Sequence, residues 1–189
     1  VIRICEVNRT SSKHVNLSGA FEIPTPPDCV EDGQIIDHLK IAEAMKGCLS
    51  DKRFLGAHIV FTVYSKKIAN KEVLLPYVKN AKRVDDMIKA NAADYFPMNN
   101  LNDYLIAVSV LEIVQVENMK NYRVSAIAVP KEIIESYYVL AEELKMPIDN
   151  IDYFGNSVLQ LLSLQMKEGT QLIIQMEIDS TVVNIMSGS

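Results

Sequence analysis

The sequence predicts an α/β protein whose core is interrupted by an inserted α+β module. Three observations predict it. His58-Ile-Val-Phe-Thr-Val63 is nearly continuous and β-branched, as expected of a strand covered on both faces. Two apolar stripes at helical spacing can supply the cover: Ile41, Ala42, Met45, Leu49 and Ile133, Ile134, Tyr137, Leu140, Ala141, Leu144. Between them, residues 66–129 read as strand, helix and long hairpin, which breaks the regular pattern.

The elements follow in order. Val1–Val7 and the alternating run from Lys13 to Ile23 make an antiparallel hairpin across Asn8–Ser12. Val15, Leu17, Gly19, Phe21 and Ile23 share one face of it. The stretch from Pro24 to Gly33 is a loop. Asp37 is placed to cap a helix reaching about Leu49, because a carboxylate there accepts the free amides of the first turn. In the module, Ile68–Leu75 is a strand. Val84, Met87, Ile88, Ala92 and Tyr95 keep helical spacing until Pro97. Tyr104–Val116 and Tyr122–Val129 pair around a Glu117–Asn121 loop. Pro130 opens the next helix, since its missing N–H costs nothing at a helix start. Pro147–Tyr153 is a short strand, and Asn156 caps a helix rich in leucine (Val158, Leu159, Leu161, Leu162, Leu164). Leu172–Ile178 and Val182–Met186 make a last pair across Asp179-Ser180.

Composition narrows the function. A chain of 189 residues, 49% of them hydrophobic, can bury a real core. Its net charge of −5 offers no basic surface for phosphate backbones, which argues against nucleic-acid binding. Cys5, Cys29 and Cys48 lie far apart, which fits neither a disulfide framework nor a zinc site and suits a reducing cytosol. His14, His38 and His58 are scattered, with no carboxylate or cysteine at ligand spacing. There is no Gly-x-Ser-x-Gly elbow and no Cys–His pair, so no nucleophile is indicated. Asp85-Asp86 reads as a solvated face near a helix N-terminus. No run of 18 apolar residues and no signal-peptide pattern occurs, so a role at a membrane would need a tether supplied by another molecule. The chain opens inside a strand without Met and closes as another ends, which reads as a piece of a longer protein.

Several segments, in order, carry a resemblance. They are Val1–Val7, Phe21-Glu-Ile-Pro24, Val30-Glu-Asp-Gly-Gln-Ile35 and Glu72-Val-Leu-Leu-Pro76. Ile88 through Ala92 to Tyr95-Phe96-Pro97 and Ala126-Ile-Ala-Val-Pro-Lys-Glu132 complete the set. Over almost its whole length the chain resembles the PilM family, cytoplasmic actin-like proteins of type IV pilus assembly, and more distantly FtsA. The resemblance implies an actin-like (ribonuclease H-like) subdomain from 1–65 and 130–168. It also implies an inserted α+β subdomain at 66–129 and, at 169–189, the start of a second actin-like half.

It further implies a cytoplasmic adaptor, peripheral to the inner membrane, that binds the N-terminal cytoplasmic peptide of a PilN-like membrane protein. A pilus-assembly ATPase is a further possible partner. The resemblance places the PilN-like peptide in a groove between the first actin-like subdomain and the inserted one. Leu75, Pro76, Tyr95, Phe96 and Pro97 mark the ends of the inserted subdomain and are the groove candidates, although each also reads as ordinary packing. In this fold ATP with Mg sits between two phosphate loops. The second loop falls on Glu177, Asp179, Ser180 and Thr181. There Asp179 stands where the family has glycine, and two like charges about 4 Å apart at an effective dielectric near 20 repel by roughly 4 kcal/mol. A degenerate loop and a non-enzymatic protein are expected. The alternatives are an actin-like ATPase with an intact site and an FtsA-like scaffold.

Overall fold

A computed structural model of the chain describes residues 1–9, 15–50, 54, 56–80, 82–157, 169–176 and 181–188. It has two compact units, Val1–Ile151 and Asp152–Ser189.

In the first unit β1 (Ile2–Arg9) and β2 (Val15–Ile23) form the expected antiparallel hairpin. A bulge lies between Glu6, opposite Gly19, and Val7, opposite Leu17. Beyond it Leu17 is exposed, so the shared apolar face holds only from Gly19 to Ile23. β3 (Val30–Glu31) and β4 (Gln34–Ile35) are the arms of a tight hairpin. Its two central residues, Asp32 and Gly33, have φ of 41° and 84°, the twist that lets such short arms pair. α1 (His38–Leu49) starts at Asp37, whose carboxylate accepts the Lys40 amide at 3.0 Å.

β5 (Ile59–Val63) pairs with β9 (Ile148–Tyr153). Phe61 and Val63 are buried, but Val60 is 58% exposed. The strand alternates rather than being covered on both faces. Continuous β-branching had hidden this, because it is the same in one-sided and two-sided strands. α4 (Lys131–Leu144) closes the buried side. Its Ile133, Leu140 and Ala141 join Ile41, Ala42 and Met45 of α1, Phe61 and Val63 of β5, and Cys29 and Ile35 in one core.

The segment between β5 and α4 builds a second core. β6 (Ala69–Pro76), β7 (Tyr104–Val116) and β8 (Met119–Pro130) form an antiparallel sheet in the order β6-β8-β7. α2 (Arg83–Ala90) and α3 (Ala92–Tyr95) cover one face. Val84, Ile88 and Phe96 pack there on Val73, Leu75, Tyr122, Val124, Ala126 and Ala128. The expected single helix is broken at Asn91 (φ −112°, ψ 22°). Its side-chain amide donates to the Met87 carbonyl at 2.9 Å, competing with the helix ladder. The β7–β8 loop is also shorter than expected. Lys120 and Asn121 are paired in the sheet, and Glu117 and Asn118, both at positive φ, make the turn alone.

In the second unit residues 154–157 are helical, so Asn156 lies inside a helix rather than capping one. The local acceptor is Asp152, which receives the Tyr153 amide, the Asn156 side-chain amide and the Ser157 hydroxyl at 2.9, 3.0 and 2.6 Å. The leucine-rich run expected over 158–164 lies outside the described residues. β10 (Gly169–Met176) and β11 (Thr181–Gly188) pair antiparallel, from Gly169 opposite Gly188 to Met176 opposite Thr181.

The first core makes a pH prediction. Tyr137 packs against Phe61 with the rings tilted by 59° and their centroids 4.9 Å apart, and burial pushes its phenol up to about 12. The fold favours the neutral form, so this stability is full below the ordinary tyrosine pKa near 10 and is lost as pH rises toward 12. The whole effect amounts to about 2–3 kcal/mol. Urea midpoints measured at rising alkaline pH will fall more steeply for the wild type than for Tyr137→Phe.

Candidate functional site

The inserted sheet ends on an open edge. β8 is central, and among the described residues nothing pairs with the far side of β6. Alternation along β6 sends Val73 and Leu75 into the core and leaves Glu72, Leu74 and Pro76 exposed. Across β8, Leu74 is opposite Arg123 and Glu72 is opposite Ser125. Arg123 in turn pairs with Glu112 of β7 at 2.8 Å. A shallow hollow of about 580 Å³ lies here, lined by Glu72–Leu74, Val114–Val116 and Arg123. Its walls alternate apolar side chains with Glu72, Gln115 and Arg123, which suits an extended segment with mixed side chains.

The opposite face of β6 meets the end of α3. Lys71 Nζ donates to the Tyr95 carbonyl at 3.4 Å, so strand and helix end are tied together. At the far end of β6, Tyr77 stacks on Tyr122 at 5.1 Å, and the Tyr122 hydroxyl donates to the Val78 carbonyl at 3.0 Å. Lys120 Nζ sits 5.8 Å from the Tyr77 ring centroid.

The five groove candidates thus fall in one lobe, with different roles. Leu75 and Phe96 are 3% and 2% exposed, so these two side chains are packed in the core of the lobe. Tyr95 is half-buried, and Pro76 and Pro97 are exposed. Sequence reasoning passed over Leu74, 52% exposed, and Arg123. Alternation was the available signal, but three apolar residues in a row, Val73-Leu-Leu75, concealed which one faces out. Of the second phosphate loop, Glu177, Asp179 and Ser180 lie outside the described residues. Thr181 is the exposed first residue of β11.

This arrangement, an α/β core carrying an inserted α+β subdomain, is the actin-like fold in its FtsA/PilM form. A solved structure described as "PilM-PilN type IV pilus biogenesis complex" is similar to the chain with a TM-score of 0.80 at 16% sequence identity. The likeness covers 98% of this chain and 55% of that one, so the chain spans about half its length. At that identity the likeness shows the fold. No protein-family model matches the sequence, and no curated protein does.

Core and surface candidates separate by measurement. Leu75→Ala and Phe96→Ala will each cost about 2–5 kcal/mol of stability, the range for emptying a packed site. Pro76→Ala and Pro97→Ala will stay within about 1 kcal/mol of wild type. Denaturant unfolding of the four variants checks both statements.

Proposed function

We propose that the chain is a PilM-like adaptor of the type IV pilus inner-membrane platform. In this reading it holds the extended N-terminal cytoplasmic peptide of a PilN-like membrane protein along the β6 edge. The observation that carries the reading is the open edge of β6, flanked by exposed apolar side chains, in a fold similar over 98% of the chain to a PilM–PilN complex. An added strand gains main-chain hydrogen bonds from such an edge. Its alternate side chains meet the hollow at Leu74 and Arg123 on one face and Tyr95 and Pro97 on the other.

Residues 66–129 act as a discrete subdomain in this proposal. A sheet of their own and a core that shares no buried residue with the first support it. The partner provides the attachment to the membrane. No helix among the described residues is long and apolar enough to cross one. A pilus-assembly ATPase is a second partner under the same reading, and Asp179 makes the nucleotide site degenerate.

Two experiments test this. A synthetic peptide of a PilN-like cytoplasmic N-terminus, titrated into the protein, will bind saturably. Leu74→Glu will weaken binding by about tenfold or more, ~1.4 kcal/mol, at unchanged thermal stability. No saturation at hundreds of micromolar rejects the adaptor. In calorimetry Asp179→Gly will raise ATP affinity, because it removes a charge that repels phosphate. Unchanged affinity rejects that explanation of the loop.

A further inference from the structure

The two buried clusters of the first unit have no residue in common, and at the entry to the second lobe the half-buried Ile68 packs against the first. The chain joins them at two places. One is the exit, where Pro130 is both the last residue of β8 and the residue before α4, with φ −56° and ψ 132°. The other is the entry at 64–68, which belongs to no strand or helix.

We infer that the Asp32-Gly33 hairpin tip is a latch that holds this entry and so fixes the orientation of the 69–130 lobe against the α1–α4 core. One Asp32 carboxylate oxygen accepts the Lys66 amide at 3.0 Å, and the other accepts the Ser65 hydroxyl at 3.3 Å. Ser65 Oγ accepts the Lys67 amide at 3.0 Å, and the Ser65 carbonyl accepts the Ile68 amide at 3.4 Å. The Asp32 carboxylate thus holds Ser65 and Lys66 directly, and through Ser65 the amides of Lys67 and Ile68.

Ser65 is 4% exposed, so solvent does not replace its lost partner cheaply. Gly33 lets the tip seat closely, since a Cβ there would overlap the Tyr64 carbonyl oxygen. The tip is itself anchored to the core. The Ile35 amide donates to the buried Ser136 hydroxyl at 3.1 Å, which donates to the Ile133 carbonyl at 2.7 Å. Lys67 and Glu132 pair at 2.9 Å between entry and exit, but both are about half exposed and add little.

Nuclear magnetic resonance of the full chain tests the latch. Asp32→Gly removes both acceptor oxygens and still tolerates the φ of 41°, whereas Asp32→Asn keeps one acceptor and also tolerates positive φ. In the wild type, amide residual dipolar couplings from 69–76 and 119–130 will fit the same alignment tensor as those from 38–49 and 131–144. In Asp32→Gly they will need a second tensor. Exchange at the Lys66 and Lys67 amides will rise about tenfold or more, with Ile41 and Val124 unchanged and Asp32→Asn in between. One tensor for Asp32→Gly, or two for the wild type, overturns the inference. Exchange accelerated equally at Ile41 and Val124 overturns it too, because the carboxylate would then support the unit as a whole.

Discussion

The architecture depends on one uninterrupted segment, Met119–Leu144, in which a strand becomes a helix with no linker. Its first part, β8, is the central strand of the lobe, and its second part, α4, closes the other core. Proline makes the change possible at a single residue. The locked φ of Pro130 suits the end of a strand, and its missing N–H is no loss where a helix begins. Tyr104 is still its ladder partner on β7, while the next residue, Lys131, is already helical.

The position of β8 explains the side chains it carries. A central strand under two helices must let them approach, and Ala126 and Ala128, both fully buried, leave room for Ile88 and Phe96. With β8 in the middle of three strands, β6 and β7 become edges. Open edges are normally blunted by charge, proline or brevity, because they invite pairing with other chains. β6 carries Lys71 and Glu72 and ends at Pro76, yet keeps Leu74 in the open. That mixture is the one the proposed strand addition requires.

Much of this was legible in the residues because it is local. The Asp37 cap, the apolar stripe of α4 and the proline that opens it each depend on neighbours a few positions away. The failures were local signals read with the wrong partner in mind. Glu117–Asn121 looked like a loop because it is polar, but Lys120 and Asn121 have strand partners in Gln115 and Val114. The α2–α3 stripe is regular in spacing, and nothing in that spacing reveals that Asn91 turns its amide back onto Met87. In the candidate site, Leu75 and Phe96 drew attention through the prolines beside them, and the same apolar character placed them in the core.

The order of residues alone dictates where strands and helices begin, which of their faces are apolar, and that a strand–helix–hairpin unit interrupts an α/β core. These follow from periodicity, capping and proline geometry, which act over a single turn or pleat. Only the tertiary structure decides that β8 is central and β6 an edge, that Leu74 and Arg123 share a hollow, and that Asp32 reaches the amide of Lys66. Strand order and contacts between residues more than thirty positions apart are set by how two cores fill and close, and no local pattern in a chain encodes that choice.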